Sequence, residues 1–297
     1  MNISEVGRFF VMDIFKIYAL LLLITFVISL IRTFFPPEKT KQILSHNNKY
    51  VAHALASLLG IVTPFCSCSA IPLFLGFLEG GVPLGVTFSF LLSSPMINEV
   101  ALVLLLSMFG LRIALIYIVS GLVLSFITGL IIGQCKAERL VESFVASPEN
   151  VISPVYQNWH ERLRYAKEYA LAIFSKVWVY VLFGVGLGAF IHGYVPVDFL
   201  AKYAGAENWY AVPLATLIGL PLYSNAAGVI PLVQALVDKG VSMGTALSFM
   251  MAVTGLSLPE FMILKKVMKW KLLIIFASVV AIGIILIGYL FNWILSI

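Results

Sequence analysis

Apolar residues recur along the chain in helix-length runs separated by short polar stretches. Four runs are uninterrupted: Val11 to Phe35, Leu111 to Gly133, Ala170 to Phe190 and Leu272 to Leu295. Runs of about 20 apolar residues are long enough to cross the ~30 Å hydrocarbon layer of a bilayer as helices. Four further apolar pieces are interrupted. Val51 to Thr63 is broken by PFCSCS before Ala70 to Leu78 resumes, and Val86 to Leu105 is broken at Ser93 to Asn98. Val212 to Leu220 is broken by PLYSNAAG before Val229 to Val237 resumes, and Thr245 to Leu264 is broken at Thr254 to Pro259. The same two kinds of break occur in the same order in each half.

Such pairing predicts an internal duplication. Setting Gly81 against Gly240 aligns GVPLGVTFSF with GVSMGTALSF, and at that spacing Pro72 falls on Pro231 and Glu79 on Asp238. With two-residue slips on either side, Pro64 and Ser67 meet Pro221 and Ser224, and Glu99 meets Glu260. Matched prolines, acids and glycines are rarer coincidences than matched leucines.

Positive charge bears on topology, because cytoplasmic loops carry the Lys/Arg excess. The basic loops are Arg32 to Lys49, Lys136 to Lys167 and Lys265 to Lys271. If every apolar piece crossed the membrane, giving eight simple spans, the middle loop would lie on the opposite face from the other two. If Val51 to Leu78 and Val212 to Val237 are re-entrant hairpins, all three loops share a face. The preferred fold class is therefore an all-α polytopic membrane protein of two inverted repeats, each with three crossings, a re-entrant hairpin and a broken helix. Residues 1–134 form the first transmembrane repeat, 135–168 a cytoplasmic linker with a short amphipathic helix around Val155 to Glu168, and 169–297 the second repeat.

Composition excludes the soluble classes. Apolar residues make up 61% of the 297 positions and charged residues 11%, with a mean hydropathy of +1.03. Soluble domains carry about 45–50% and about 25% respectively. The run Ile17 to Ile31 leads into Arg32 without a small-residue cleavage site, so it reads as a permanent transmembrane helix and not a signal peptide. The net charge of +5 lies mostly in loops and is not interleaved with aromatics, which argues against nucleic acid.

Chemistry concentrates at the breaks, because irregular backbone persists at membrane depth only where protein or a cavity satisfies it. Cys66 and Cys68 flank Ser67 in a proline-bounded, non-helical reading. In extended chain, residues two apart share a face and could present two sulfurs to one soft centre. A bridge between them would close a small, strained ring, so the cysteines read as free thiols. Cys135, at a helix end, looks out of their reach. Buried cysteines also serve as small apolar fillers.

Ser93, Ser94, Pro95 and Asn98 form the break within Val86 to Leu105, where Pro95 removes a helical hydrogen bond and Asn98 can donate and accept. A helix-packing hydrogen bond is the alternative role for Asn98. Tyr223, Ser224 and Asn225 occupy the later break with oxygen and amide ligands in place of sulfur. Glu99 and Glu260 are the acids least easily explained as solvated, and a desolvated carboxylate is a candidate for proton coupling. The structural alternative is that one of them lies near an interface or pairs with a lysine, Lys176 being a candidate partner. Glu79 and Asp238 read as solvated loop acids. His46, His53, His160 and His192 are scattered without metal-ligand spacing, and no HExxH, Walker or phosphate-loop motif occurs. No cofactor, metal site or catalytic residue is predicted.

TPFCSCSAIPLF, SSPMINEVALVLL and GLPLYSNAAGVIPL resemble a predicted-permease family that includes the ArsP organoarsenical efflux permeases. The resemblance runs along nearly the whole chain. It implies a multi-pass inner-membrane permease and, for the ArsP branch, export of trivalent methylated arsenicals through membrane cysteines. It extends to Cys66 and Cys68 as soft-ligand residues and to Pro95 and Asn98 as the broken-helix motif. Cys135 matches no motif.

The expected function is thus a secondary transporter exporting a small thiophilic solute and conferring arsenical resistance, and not an enzyme. Its partners are a small-molecule solute and the lipid bilayer, with homo-oligomerisation left open. An intramembrane thiol redox enzyme and a passive channel are the alternatives.

Overall fold

The computed structural model describes residues 48–62, 67–135, 137–141, 158–194, 208–220, 222, 226–265 and 267–295, with scattered helical positions between 14 and 30. At 67–69, 176, 226–227 and 258–259, among others, only the backbone is described. The described residues are almost entirely helical and contain no strand. The helices are α1 (Lys49–Val62), α2 (Ser67–Glu79), α3 (Leu84–Met96), α4 (Glu99–Gln134), α5 (Trp159–Tyr194), α6 (Ala211–Gly219), α7 (Ala226–Asp238), α8 (Met243–Gly255), α9 (Leu258–Leu264) and α10 (Trp270–Leu295).

Two of them, α4 and α10, are long and apolar enough to cross a membrane, as is the stretch Met243–Met262 that runs through the second break. Their surfaces agree with a lipid setting. On α4, Leu111, Leu115, Val119, Val123 and Ile127 form an exposed apolar stripe at four-residue spacing, while Ala114, Tyr117, Gly121, Leu124 and Thr128 on the other face are buried. A water-facing surface seldom carries so continuous an apolar patch. The chain is therefore an all-α, multi-pass membrane protein.

Other helices are too short to span. The 14 residues of α1 and 13 of α3 rise only about 21 and 20 Å, short of a ~30 Å hydrocarbon layer. Tight turns with Gly81 at φ 74° and Gly240 at φ 87° join α2 to α3 and α7 to α8, a backbone region where a side chain is strained. Within α4, Gly110 at φ 83° interrupts the helix between a first piece from Glu99 and the long span beyond.

Helix starts recur at one spacing. Residues 67 and 226, 84 and 243, and 99 and 258 each begin a helix 159 residues apart, and α2, α3, α7 and α8 are all 13 residues long. The two-residue slips expected from the sequence are absent from these helix starts. Leu258, not Glu260, therefore occupies the position of Glu99. The linker also differs from expectation: α5 starts at Trp159 and continues to Tyr194, so no separate short helix ends near Glu168. Its 36 residues rise about 54 Å, enough to cross the bilayer and project beyond it.

The two later basic loops come together. Val141 forms an isolated bridge with Met268, the Lys269 amide donates to Leu140 O at 2.8 Å, and Lys269 Nζ donates to Arg139 O at 3.3 Å. Residues 139–141 and 268–269 thus lie on one face. The Lys49 end of α1 lies on that face too, since α1 packs antiparallel to α4 with His53 beside Gly129 and Gly133.

Candidate functional site

The first break lies between Met96 and Glu99. Pro95 does not end α3 but sits inside its last turn, where it offers no N–H to the carbonyl of Leu91. Ile97 (φ −120°, ψ 75°) and Asn98 (φ −102°, ψ 161°) leave the helical region. Protein groups satisfy three of the carbonyls at the break. Ser93 O accepts from the Ile97 amide at 3.0 Å, Pro95 O from Asn98 Nδ2 at 3.4 Å, and Met96 O from the Tyr117 hydroxyl at 3.0 Å. Asn98 Oδ1 in turn accepts from the Ala101 amide at 2.7 Å and caps α4. One side chain therefore holds both ends of the break, while its second amide proton is not used by these bonds.

The second break lies between Gly255 and Leu258. Leu256 (φ −138°, ψ 42°) ends α8, and Ser257 precedes α9 with its O accepting from the Phe261 amide. Ser257 Oγ is buried and has no hydrogen-bond partner among the described residues, in contrast to its counterpart Asn98.

The two breaks meet. A β-carbon added at Gly255 would lie 3.1 Å from Cγ and 3.2 Å from Sδ of Met96, so only glycine allows this approach without displacing Met96. Tyr117, fully buried on α4, donates to Met96 O at the first break, and its hydroxyl lies near the Thr254 side chain beside the second. The sequence reading missed Tyr117. It stands in a plain span, and its only signal was a lone polar ring at a core-facing position.

The acids separate. Glu99 is exposed in the first turn of α4, where the helix dipole favours a negative charge. Glu260 is 3% exposed in the first turn of α9. It stands two residues beyond the position matching Glu99, which rotates it about 200° around the helix and turns it inward. Ser94 and Pro95 are buried beside the first break.

The sulfur pair is less defined. Cys66 lies outside the described residues, as do Tyr223, Ser224 and Asn225. Ser67 and Cys68 belong to the first turn of α2, so Cys68 is helical and not in extended chain, a correction to the shared-face reading. A first helical turn does expose N–H groups that lack intrahelical acceptors, which suits lone-pair-rich ligands. At the 159-residue spacing, Cys66 just before α2 corresponds to Asn225 just before α7. Cys135 is exposed at the C-terminal end of α4, the end of the basic loops. Lys176 and Glu79 have no described side chains, and Asp238 is exposed.

A family profile described as "Predicted permease" matches residues 2–293. The chain belongs to this permease family. It is 24% identical to UPF0718 protein MJ0584 of Methanocaldococcus jannaschii over 83% of each chain. It is 25% identical to UPF0718 protein YraQ of Escherichia coli over 88% of this chain and 73% of the relative. It is also 23% identical, over 86% of this chain and 84% of the relative, to a Streptococcus mutans protein named as a subunit of a two-component membrane permease complex. No solved structure matches the chain. These likenesses fit a membrane permease acting on a small solute, and favour a transporter over an enzyme.

Proposed function

We propose that this permease is a proton-coupled secondary transporter that exports a small thiophilic solute, such as a trivalent organoarsenical, from two inverted repeats across the inner membrane. The observation that carries this reading is the contact of the two helix breaks at Met96 and Gly255, with a buried carboxylate, Glu260, in the helix that leaves the second break. Discontinuous helices meeting at depth supply dipole ends and unsaturated backbone to a substrate. The shared face of the basic loops supports hairpins over simple spans, because an even number of crossings then separates those loops.

In this mechanism Cys66 and Cys68 hold the soft atom of the solute at the start of α2, and Ser67, Ser94 and Pro95 line its surroundings. Asn98 and Asn225 orient it with their amides, alongside Tyr223 and Ser224. Glu260 takes up and releases the coupling proton, and Glu99, being exposed, plays a lesser part. Desolvation makes a buried carboxylate sensitive to whether the solute or a proton is present.

Binding of trivalent methylarsenical to the purified protein in detergent tests the site, wild type beside Cys66→Ser and Cys68→Ser. One equivalent bound by the wild type and lost in each variant is the expected result. No binding by the wild type would remove the soft-solute assignment.

A further inference from the structure

Between α1, α3 and α4 the fold buries a set of polar groups that the transport reading above does not use. His53 Nδ1 lies 2.9 Å from Ser89 Oγ, and Ser89 Oγ also reaches Gly85 O at 3.4 Å. One turn further along α1, Ser57 Oγ accepts from Ser125 Oγ at 3.1 Å, while Ser125 can instead donate to Leu122 O at 2.9 Å. Another turn on, Gly60 abuts Ser93 Oγ and lies so close that an added β-carbon would sit 3.0 Å from the Ser94 amide. From His53 to Gly60 the rise is about 10 Å, and the far end is the first helix break. Ser89 and Ser125 thus each have one proton and two neighbours within reach of it.

Thr128 adds an independent sign. It is 0% exposed, and its Oγ1 has no hydrogen-bond partner among the described residues. It stands one turn from Ser125 and next to Gly129, which faces Ser89 and His53. A buried hydroxyl left open in this way is a site for an ordered water.

Serine and histidine between membrane helices can also serve only as packing contacts. The other half of the chain argues against that as the full account. At the 159-residue spacing, His53, Ser57, Ser125 and Thr128 are replaced by Val212, Thr216, Ile284 and Ile287, while Ser89 is matched by Ser248. The helices there approach as closely: Gly288 faces Ser248 and Val212 just as Gly129 faces Ser89 and His53. Close packing therefore does not require the imidazole or the Ser57–Ser125 pair.

We propose that His53, Ser89, Ser57 and Ser125, with water at Thr128, form a proton path from the Lys49 end of α1 to the first helix break. It deepens the proton-coupled reading above and rests on it. A proton arriving at Nε2 of His53 gives an imidazolium. The Nδ1 proton then passes to Ser89 Oγ while the proton of that hydroxyl leaves for a bridging water, and the ring returns to neutral. Only protons move, and no oxidant or reductant is needed. Around the ring, α3 carries no titratable residue, α4 brings Phe126, Gly129 and Gly133 with Cys135 its next titratable group, and Lys49 lies one turn back on α1.

The test uses the full chain in liposomes loaded with a pH-sensitive dye, with proton uptake driven by a potassium diffusion potential. The wild type should exceed empty liposomes. His53→Gln and the Ser57→Ala/Ser125→Ala pair should lose most of that excess, and Thr216→Ala in the other half should keep it. The serine pair removes little volume and keeps the test decisive should His53→Gln fail to fold. Wild-type uptake no faster than empty liposomes, unchanged uptake in both variants, or an equal loss in Thr216→Ala would each overturn the path. Methylarsenical binding by the same preparations separates the two readings. Binding with unchanged uptake in the variants sinks the path alone, whereas a lost path signal without wild-type binding sinks the solute alone.

Discussion

The α1/α3/α4 set and the α6/α8/α10 set place helices at equivalent positions but fill them differently. In the first, Gly85 lies against Gly129 and Gly133, and imidazole and hydroxyl groups continue from there to a helix break. In the second, Gly244 lies against Gly288 and Asn292, and the polar contact stays at that end: Asn292 Oδ1 accepts from the Gly244 amide at 2.8 Å and Asn292 Nδ2 donates to Thr245. Beyond Ser248 the second set has Ala252 and Ile284 where the first has Ser93 and Ser125, and its hydroxyls at Thr216 and Thr254 bond carbonyls of their own helices. The backbone arrangement is common to both, so close packing of small residues is what the fold demands. The polar content is then free to differ, and differences between the sets are where function is to be sought.

Substitutions at the shared glycines should have the largest effect and the least asymmetry. A β-carbon at Gly85 would lie 2.8 Å from Gly133 Cα, and one at Gly244 would lie 2.7 Å from the Asn292 amide. Backbone cannot move aside as a side-chain tip can, so Gly85→Val and Gly244→Val should both abolish monodisperse protein in size-exclusion chromatography; survival of one alone would break the equivalence of the sets. The acids should then divide them sharply. Glu260→Gln is expected to reduce methylarsenical efflux from cells by roughly tenfold or more, equivalent to about 1.4 kcal/mol in the transport barrier, and Glu99→Gln by less than twofold. Equal losses would mean that burial does not distinguish their roles.

Smaller effects belong to the breaks. Tyr117→Phe leaves Met96 O buried without its donor and should cost about 1–3 kcal/mol in thermal unfolding, with the largest change in whichever measurement reports contact between the halves. Asn98→Ala removes a helix cap and should cost about 1 kcal/mol. Ser257→Ala, whose hydroxyl has no partner among the described residues, should stay within about 0.5 kcal/mol of wild type. A loss at Ser257 matching that at Asn98 would show that Ser257 also acts as a cap.

Much of this architecture could be read from residues alone. Apolar runs marked the long helices, and proline with small polar residues marked both breaks, because such residues are costly within a helix surrounded by lipid. The position of each break was less legible. Pro95 lies inside α3 because a proline excludes only one upstream hydrogen bond, and the chain leaves the helix two residues later. Glu99 and Glu260 looked equivalent because identity was matched before spacing, and a two-residue error on a helix exchanges the inner and outer faces. His53 was dismissed as one of four scattered histidines. The signal was present in Gly121, Ser125, Gly129 and Gly133 and in Gly85, Ser89 and Ser93, which recur every four residues and mark one face of each helix. What composition could not supply was which neighbour that face meets.

The helices of the two halves also interlock: α7 lies against α4, α9 against α2, and residues 139–141 are tied to 268–269. The consequence concerns biogenesis. When a ribosome has delivered only residues up to the linker, α2 and α4 lack neighbours that have yet to be synthesised, and the tether at Val141 has no partner to meet. The early half must therefore wait in the membrane in an incompletely packed form, sheltered by lipid or insertion factors. Final closure can occur only after Met268 has left the ribosome, which makes the last quarter of the chain the stage at which assembly is committed.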